Sequence, residues 1–494
     1  MRVLDSDITE HTQKRASLIE AERSLRFDAD VNAKATENEK RAVEIVNNLR
    51  VREAKEMWHA NKGMLMYPNL DFFTIKNTIM NTELYQIMRQ IPKGGLLRGH
   101  MNTMCDVGFI YSLALEYPAI HVRVNSRITS DDPLPIPEFK PLSPELVVEH
   151  ANMPSLTRAD YVLGTWVPLD KARNEFSHGG PEAFDKWIVG SLALSAEEGG
   201  KVPNTSIKAH ERLLVAYRLG RGIICYEPVL KRFLYQTLLS LVEDGISYAE
   251  IRANFSYKAD IRTDGSETLS HRDYLVLFND AVQDIKHKMR LEGREGEFIG
   301  AKLIYAVYRT LDKQNIWWYL EDCMSLKAEF PDLIAGFDLL GPEETGRSFE
   351  YYLEPLIWFQ QETKKRALDI PFIFLVGDSV GENSKADRNL YDALLLGTKR
   401  IGHGLNLVRH PLLMQMIKEQ GVAVEVCPIA NEILAIISSE SCDILSLKQL
   451  ARQSLEYSTL SITDKKSALE AWEQKWTAFV DRFVDANKDL WSKH

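Results

Sequence analysis

From about residue 229 the chain alternates between amphipathic stretches and short apolar runs. Val229-Leu230-Lys231-Arg232-Phe233-Leu234-Tyr235-Gln236-Thr237-Leu238 has helical periodicity and leads to Tyr248-Ala249-Glu250-Ile251-Arg252-Ala253, which reads as a strand. A helical pattern over 271–291 leads to a strand over 301–307, and a helix after Asn315 leads to another over 334–339. Further apolar runs follow at 372–375, 398–403 and 422–427. Strands separated by helices pair in parallel, because a parallel pair needs a crossover of roughly a dozen residues. Counting Leu96-Leu97 as the first, seven such strands predict a (β/α) barrel, an α/β fold.

Two regions depart from this alternation. Residues 8–60 are rich in Glu, Lys, Arg and Ala, with Ala42, Ile45, Val46 and Leu49 at helical intervals. They read as amphipathic helices, either a solvated cap or a dimerising arm. Residues 124–212 carry the loop signals Asp131-Asp132-Pro133-Leu134-Pro135-Ile136-Pro137, Gly179-Gly180-Pro181 and Gly199-Gly200. This stretch reads as an insertion between core elements. The expected organisation is a helical, dimerisation-like region over 1–90, a barrel over 91–470 that contains the insertion, and a C-terminal helix over 471–494.

Composition narrows the function classes. A net charge of -10 argues against recognition of a nucleic-acid backbone. No apolar run approaches the roughly 18 residues that span a membrane. The start, Met1-Arg2-Val3-Leu4-Asp5-Ser6-Asp7, lacks the apolar core of a secretory leader. Cys105, Cys225, Cys323, Cys427 and Cys442 are scattered, with no CxxC pair, and read as reduced thiols of a cytoplasmic protein.

Several runs recur in an order that resembles the adenosine deaminase-related growth factor branch of the adenosine/AMP deaminase superfamily. They are Pro92 to His100, Arg252, Gly336 to Glu343, Asp387-Arg388-Asn389-Leu390 with Asp392-Ala393-Leu394, Arg400 to Gly404, and Val424-Glu425-Val426-Cys427-Pro428. Leu447-Lys448-Gln449-Leu450 and Glu456-Tyr457-Ser458-Thr459-Leu460 complete the set. The likeness covers about residues 30–485 and implies an adenosine deaminase-type barrel, an N-terminal helical dimerisation region and a domain inserted after the first strand. Members of that branch are usually secreted, with a disulfide in the inserted domain, and this chain has no cysteine between Cys105 and Cys225.

The resemblance also implies a chemistry: a zinc-bound water made acidic enough to supply hydroxide, an acid to protonate the purine, and a histidine beside the water. The family's first strand carries His-x-His, two zinc ligands. Here it reads Arg98-Gly99-His100. Arginine offers no lone pair and stays protonated. The family's fifth strand ends His-Ala-Gly-Glu, a ligand and the general acid; here it ends Leu375-Val376-Gly377-Asp378, with a carboxylate one methylene shorter. His403 matches the catalytic histidine, flanked by Gly402 and Gly404 where a barrel gathers functional groups. The family's last ligand lies in an eighth-strand Ser-Asp-Asp-Pro, for which this chain has no counterpart beyond Glu440 in Ile436-Ile437-Ser438-Ser439-Glu440-Ser441.

The candidate catalytic residues are therefore Asp378 and His403. Arg98, His100 and Gly341 are the substrate-binding candidates, and no metal or other cofactor is expected. Positions 429–435, between Pro428 and Ile436, are too few for a crossover of about 10–12 residues, so the barrel is expected to be incomplete at strand eight. Its edge would be covered by the segment near Ile444–Leu450 or by a partner chain. Three readings follow: a pseudoenzyme, a repurposed metal-free enzyme with a purine-like or other small polar ligand, or a zinc-dependent adenosine deaminase read from an imperfect gene model. Expected partners are a small molecule and a second chain, its own copy or a relative, with neither nucleic acid nor membrane.

Overall fold

In the computed structural model the described residues are 5–53, 55–56, 78–129, 132–193, 206–378, 384–425 and 442–491. The chain divides into two units, Met1–Gly95 with Pro428–His494, and Leu96–Cys427.

The larger unit is the barrel. Its strands are β1 (Gly94–Leu96, at the junction of the units), β2 (Ile246–Asn254), β3 (Gly300–Tyr308), β4 (Ile334–Leu340), β5 (Ile373–Val376), β6 (Arg400–His403) and β7 (Ala423–Glu425). Strands β1 to β4 form one sheet in sequence order and β5 to β7 a second. A parallel bridge from Phe337 to Phe372 joins β4 to the lead into β5. The result is a curled, parallel α/β sheet, the (β/α) barrel expected, with seven strands among the described residues. The eighth-strand question, with the link at 429–435 and Glu440, falls on residues outside those described.

Helices fall where the periodicity placed them. His271–Leu291 begins at a capping box, in which Ser270 and Asp273 each satisfy the other's backbone N–H. Its buried Leu275, Phe278, Val282, Ile285 and Met289 follow the helical repeat and join the main core. The inserted region contains a small antiparallel sheet, with Ile120–Arg123 between Glu138–Pro141 and Val167–Pro168. It starts a few residues before the expected boundary at 124, because Ile120 and Val122 are apolar and inward-facing and continue the core.

The smaller unit is helical: α1 (Asp5–Ser24), α2 (Glu37–Glu53), α3 (Ile444–Glu456) and α4 (Ile462–Ala486). Ala42, Ile45, Val46 and Leu49 of α2 are buried, as are Trp472, Trp476, Phe479 and Val480 of α4. Buried Glu39 fixes the packing by accepting from Lys448 Nζ and Trp476 Nε1, each at 2.8 Å. The segment expected to cover the barrel edge is helical, capped by Asp443. The C-terminal helix starts at Ile462, ahead of the expected 471, because Ser461 caps it by accepting from the Asp464 N–H. Helix α1 differs from the rest, since every side chain from residue 6 to 25 is exposed. No described helix is long and apolar enough to cross a membrane.

Candidate functional site

The chemistry-bearing residues sit where strands end. β6 stops at His403, whose backbone lies at φ +74°, followed by Gly404 at +61°. A side chain in this left-handed region costs of order 1–2 kcal/mol. The turn is held by the Gly404 N–H on the Val376 carbonyl and the Asn406 N–H on the Gly377 carbonyl. Strain of this kind collects at functional sites.

Arg98 follows β1 and reaches this histidine. Its Nη2 lies 2.7 Å from His403 Nε2. A guanidinium only donates, so Nε2 accepts and the ring proton sits on Nδ1. Nδ1 faces Asp378 Oδ2 at 3.6 Å, too long for a hydrogen bond. Asp378 is half exposed. Its backbone N–H donates to Glu343 Oε2 at 2.9 Å. Glu343 also accepts from Asn389 Nδ2 at 2.9 Å and lies 3.7 Å from buried Arg309. Burial raises the Glu343 carboxyl above its ordinary value.

His100 lies two residues past Arg98 and bridges to Arg252 on β2. Burial, then the positive charges of Arg252 and Arg98, lower its imidazole to about 3. It is neutral at any physiological pH. Gly341 follows β4 at φ +107°, where a Cβ would stand 3.6 Å from Arg309 Cγ. The structure thus joins Arg98, His403 and Asp378, sets His100 beside them, and places Gly341 against Arg309. Arg98 and Asp378 lie on opposite sides of the imidazole, one at Nε2 and the other facing Nδ1.

One further position shapes the cluster. A Cβ at Gly402 would stand 2.3 Å from Leu375 Cδ2 and 3.2 Å from both Arg98 Nη1 and Glu425 Oε2. Leu375 and Arg98, at two positions where the resemblance implies zinc ligands, therefore enter one gap that only glycine leaves open.

Beneath the mouth lies a layer that the sequence reading missed. Arg252 Nε donates to Asp338 Oδ2 at 2.7 Å, and its Nη2 is 3.0 Å from Glu425 Oε2. Arg400 pairs with Glu425 at 2.8 Å and with Glu250 at 2.7 Å. Burial would lower both guanidinium groups, and the carboxylates outweigh it, holding each above its ordinary value. The signal was there: Tyr248, Glu250, Arg252 and Asn254 alternate along β2, which is the period of one strand face.

The described residues do not fit the zinc that the resemblance implies. Arg98 places a fixed cation on the histidine nitrogen that faces it. Leu375 offers only methyl groups. His100 remains as a neutral donor, between Arg252 and Arg98. Among the described residues no three His, Cys, Asp or Glu side chains gather as a metal-binding group.

Comparison with known proteins comes down on one family. The family model for adenosine deaminase matches residues 195–465. An adenosine deaminase of Lutzomyia longipalpis is 27% identical, over 97% of this chain and 95% of the relative. Adenosine deaminase 2-A of Danio rerio is 26% identical, over 95% of this chain and 93% of its own. Among solved structures, an amidohydrolase from Burkholderia ambifaria with bound zinc superposes with a TM-score of 0.50, covering 81% of this chain and 94% of that one. At 14% identity that likeness shows the fold alone.

Proposed function

The chain belongs to the adenosine deaminase family, in its adenosine deaminase-related growth factor branch, and from that premise we propose that its barrel mouth is a metal-free pocket for a small polar, purine-like ligand. The observation that carries this reading is Arg98 seated on His403 Nε2 at 2.7 Å. In that arrangement Arg98 supplies the positive charge of the pocket. His403 and Asp378 are the groups able to move a proton, one as a neutral imidazole and the other as a half-exposed carboxylate. If the pocket turns a ligand over, it does so by acid–base work at these two residues. If it does not, the same residues bind and orient.

The test is a panel of purines and related polar molecules, read by thermal shift on the wild type, Arg98→Ala, Asp378→Asn and His403→Ala. A ligand that stabilises the wild type and loses its effect in the three variants supports the pocket. No stabilisation by any ligand, or equal responses from all four proteins, removes it and leaves the pseudoenzyme reading.

A second reading has an observation of its own. The relatives matched over almost the whole chain are named adenosine deaminases, which favours hydrolysis of adenosine to inosine with zinc. Arg98 and Leu375 oppose it.

The proposal extends to assembly. Helix α1 is 20 residues long and exposed along its described length, whereas helices in proteins draw most of their stability from packing. We take it as an arm that packs on a second chain. Removing residues 1–25 is expected to shift the mass in light scattering from dimer to monomer. A folded truncation of unchanged mass contradicts the arm.

A further inference from the structure

Away from the mouth, a second histidine stands between a carboxylate and a hydroxyl. Asp387 and Tyr391 lie four residues apart on the helix Lys385–Leu395, and so on one face of it. His410 caps the start of the helix Pro411–Gln420. Its Nε2 lies 3.0 Å from Asp387 Oδ1, and its Nδ1 lies 3.2 Å from the Tyr391 hydroxyl. Asp387 Oδ1 also accepts from Asn406 Nδ2 at 3.0 Å, so this oxygen is an acceptor. In the neutral ring the proton therefore sits on Nε2, and Nδ1 carries the lone pair that accepts from the phenol O–H.

Burial falls off along these three residues. The side chains of Asp387 and His410 are 1% and 11% exposed, whereas Tyr391 is 43% exposed. A base oriented by a buried carboxylate thus faces a hydroxyl that solvent reaches. A hydroxyl within about 3.2 Å of a base that a third group holds is the arrangement of nucleophilic catalysis, and tyrosine is among the side chains that form covalent intermediates. The mouth lacks this arrangement. There Arg98 occupies the accepting nitrogen of His403, and the carboxylate stands 3.6 Å from the other. Leu395, 80% exposed, lies one turn beyond Tyr391 on the same helix and puts an apolar side chain on the same face as the phenol.

We propose that Tyr391, His410 and Asp387 form a second reactive site, which takes an acyl group from an activated, apolar ester of the aryl acetate class. The Tyr391 oxygen attacks the ester carbonyl carbon and forms the new C–O bond, while its proton passes to His410 Nδ1. The bond from that carbon to the aryl oxygen breaks, and the leaving aryl oxide takes the proton from His410. The products are O-acetyl-Tyr391 and the free phenol. Asp387 touches neither reactant. It is a positioning residue, which holds His410 in the tautomer that accepts. The site shares no residue with the mouth, so this proposal and the pocket can each fail alone.

The experiment exposes the full chain to p-nitrophenyl acetate and locates the acetyl groups by peptide mapping in a mass spectrometer. Tyr257 is 42% exposed and serves as the measure of exposure alone. Tyr391 is expected to be acetylated at least about tenfold faster than Tyr257, the low end of what a general base supplies. Tyr391→Phe should abolish this acetylation, and His410→Gln should slow it to the rate of Tyr257. Asp387→Asn should slow it too, with Asp387→Glu recovering part of the rate, a rescue that a purely structural role would not give. Each variant is first checked for a folded melting curve, and the comparison of the two tyrosines needs no variant at all. Equal rates at Tyr391 and Tyr257, or a folded His410→Gln that reacts as fast as wild type, overturn the proposal.

Discussion

The charged residues inside the barrel and those at its mouth are of the same types, yet the two groups are built differently. Inside, Arg252 and Arg400 are almost wholly buried, each with two carboxylate partners, on strands of ordinary extended backbone. At the mouth, His403 and Asp378 are 27% and 50% exposed, and the histidine sits on a left-handed turn. The inner group is held by its partners and leaves little freedom to a ligand. The outer group has a strained backbone, accessible atoms and a carboxylate 3.6 Å from the histidine. Charge pairing thus serves the fold in one layer and remains available for chemistry in the next.

Breaking the inner layer should have the largest effect. Arg252→Met removes one cation and leaves Asp338 and Glu425 with a buried charge each to share. Loss of one partner from such a pair costs about 3–5 kcal/mol. Chemical denaturation should show that loss, whereas Asp378→Asn at the mouth should stay close to wild type. Equal losses from the two variants would dissolve the distinction.

The next effect is one of pH and falls between the layers. His100 is lowered from its ordinary 6.5 to about 3 by burial and by the cations Arg252 and Arg98. Below pH 6.5 the unfolded chain takes up a proton that the folded imidazole refuses, so stability falls as pH drops towards about 3. Above 6.5 this residue contributes no pH dependence. Denaturation of wild type and His100→Gln at a series of pH values should show curves that converge on acidification. Parallel curves would mean that His100 is not held neutral.

A smaller effect is expected at the gap between the layers. Gly402→Ala would place a methyl against Leu375, Arg98 and Glu425, and overpacking of this kind costs roughly 1–3 kcal/mol. The variant should also weaken any ligand response, because Arg98 must move off His403. A stable variant with an unchanged response would show that the convergence at Gly402 is unimportant.

The barrel strands and their helices were legible because apolar runs and helical periods are properties of single segments. His403 and Arg98 could be named as candidates from the motifs that surround them. Their pairing could not, because it depends on Gly402 leaving space between strands 27 residues or more apart in sequence from Leu375 and 304 from Arg98. The charge layer was missed for a related reason. Glu250, Arg252, Asp338, Arg400 and Glu425 lie on four strands, and only the fold shows that they face one another. The start of α4 was misplaced because a single serine cap, Ser461, decided it.

The central claim is that this family member holds its mouth together with an arginine instead of a metal. It is tested most directly by elemental analysis of the full chain, purified without chelator and then offered adenosine. The account predicts far less than one zinc per chain and no inosine. One zinc per chain, with inosine formation that a chelator abolishes, would contradict it.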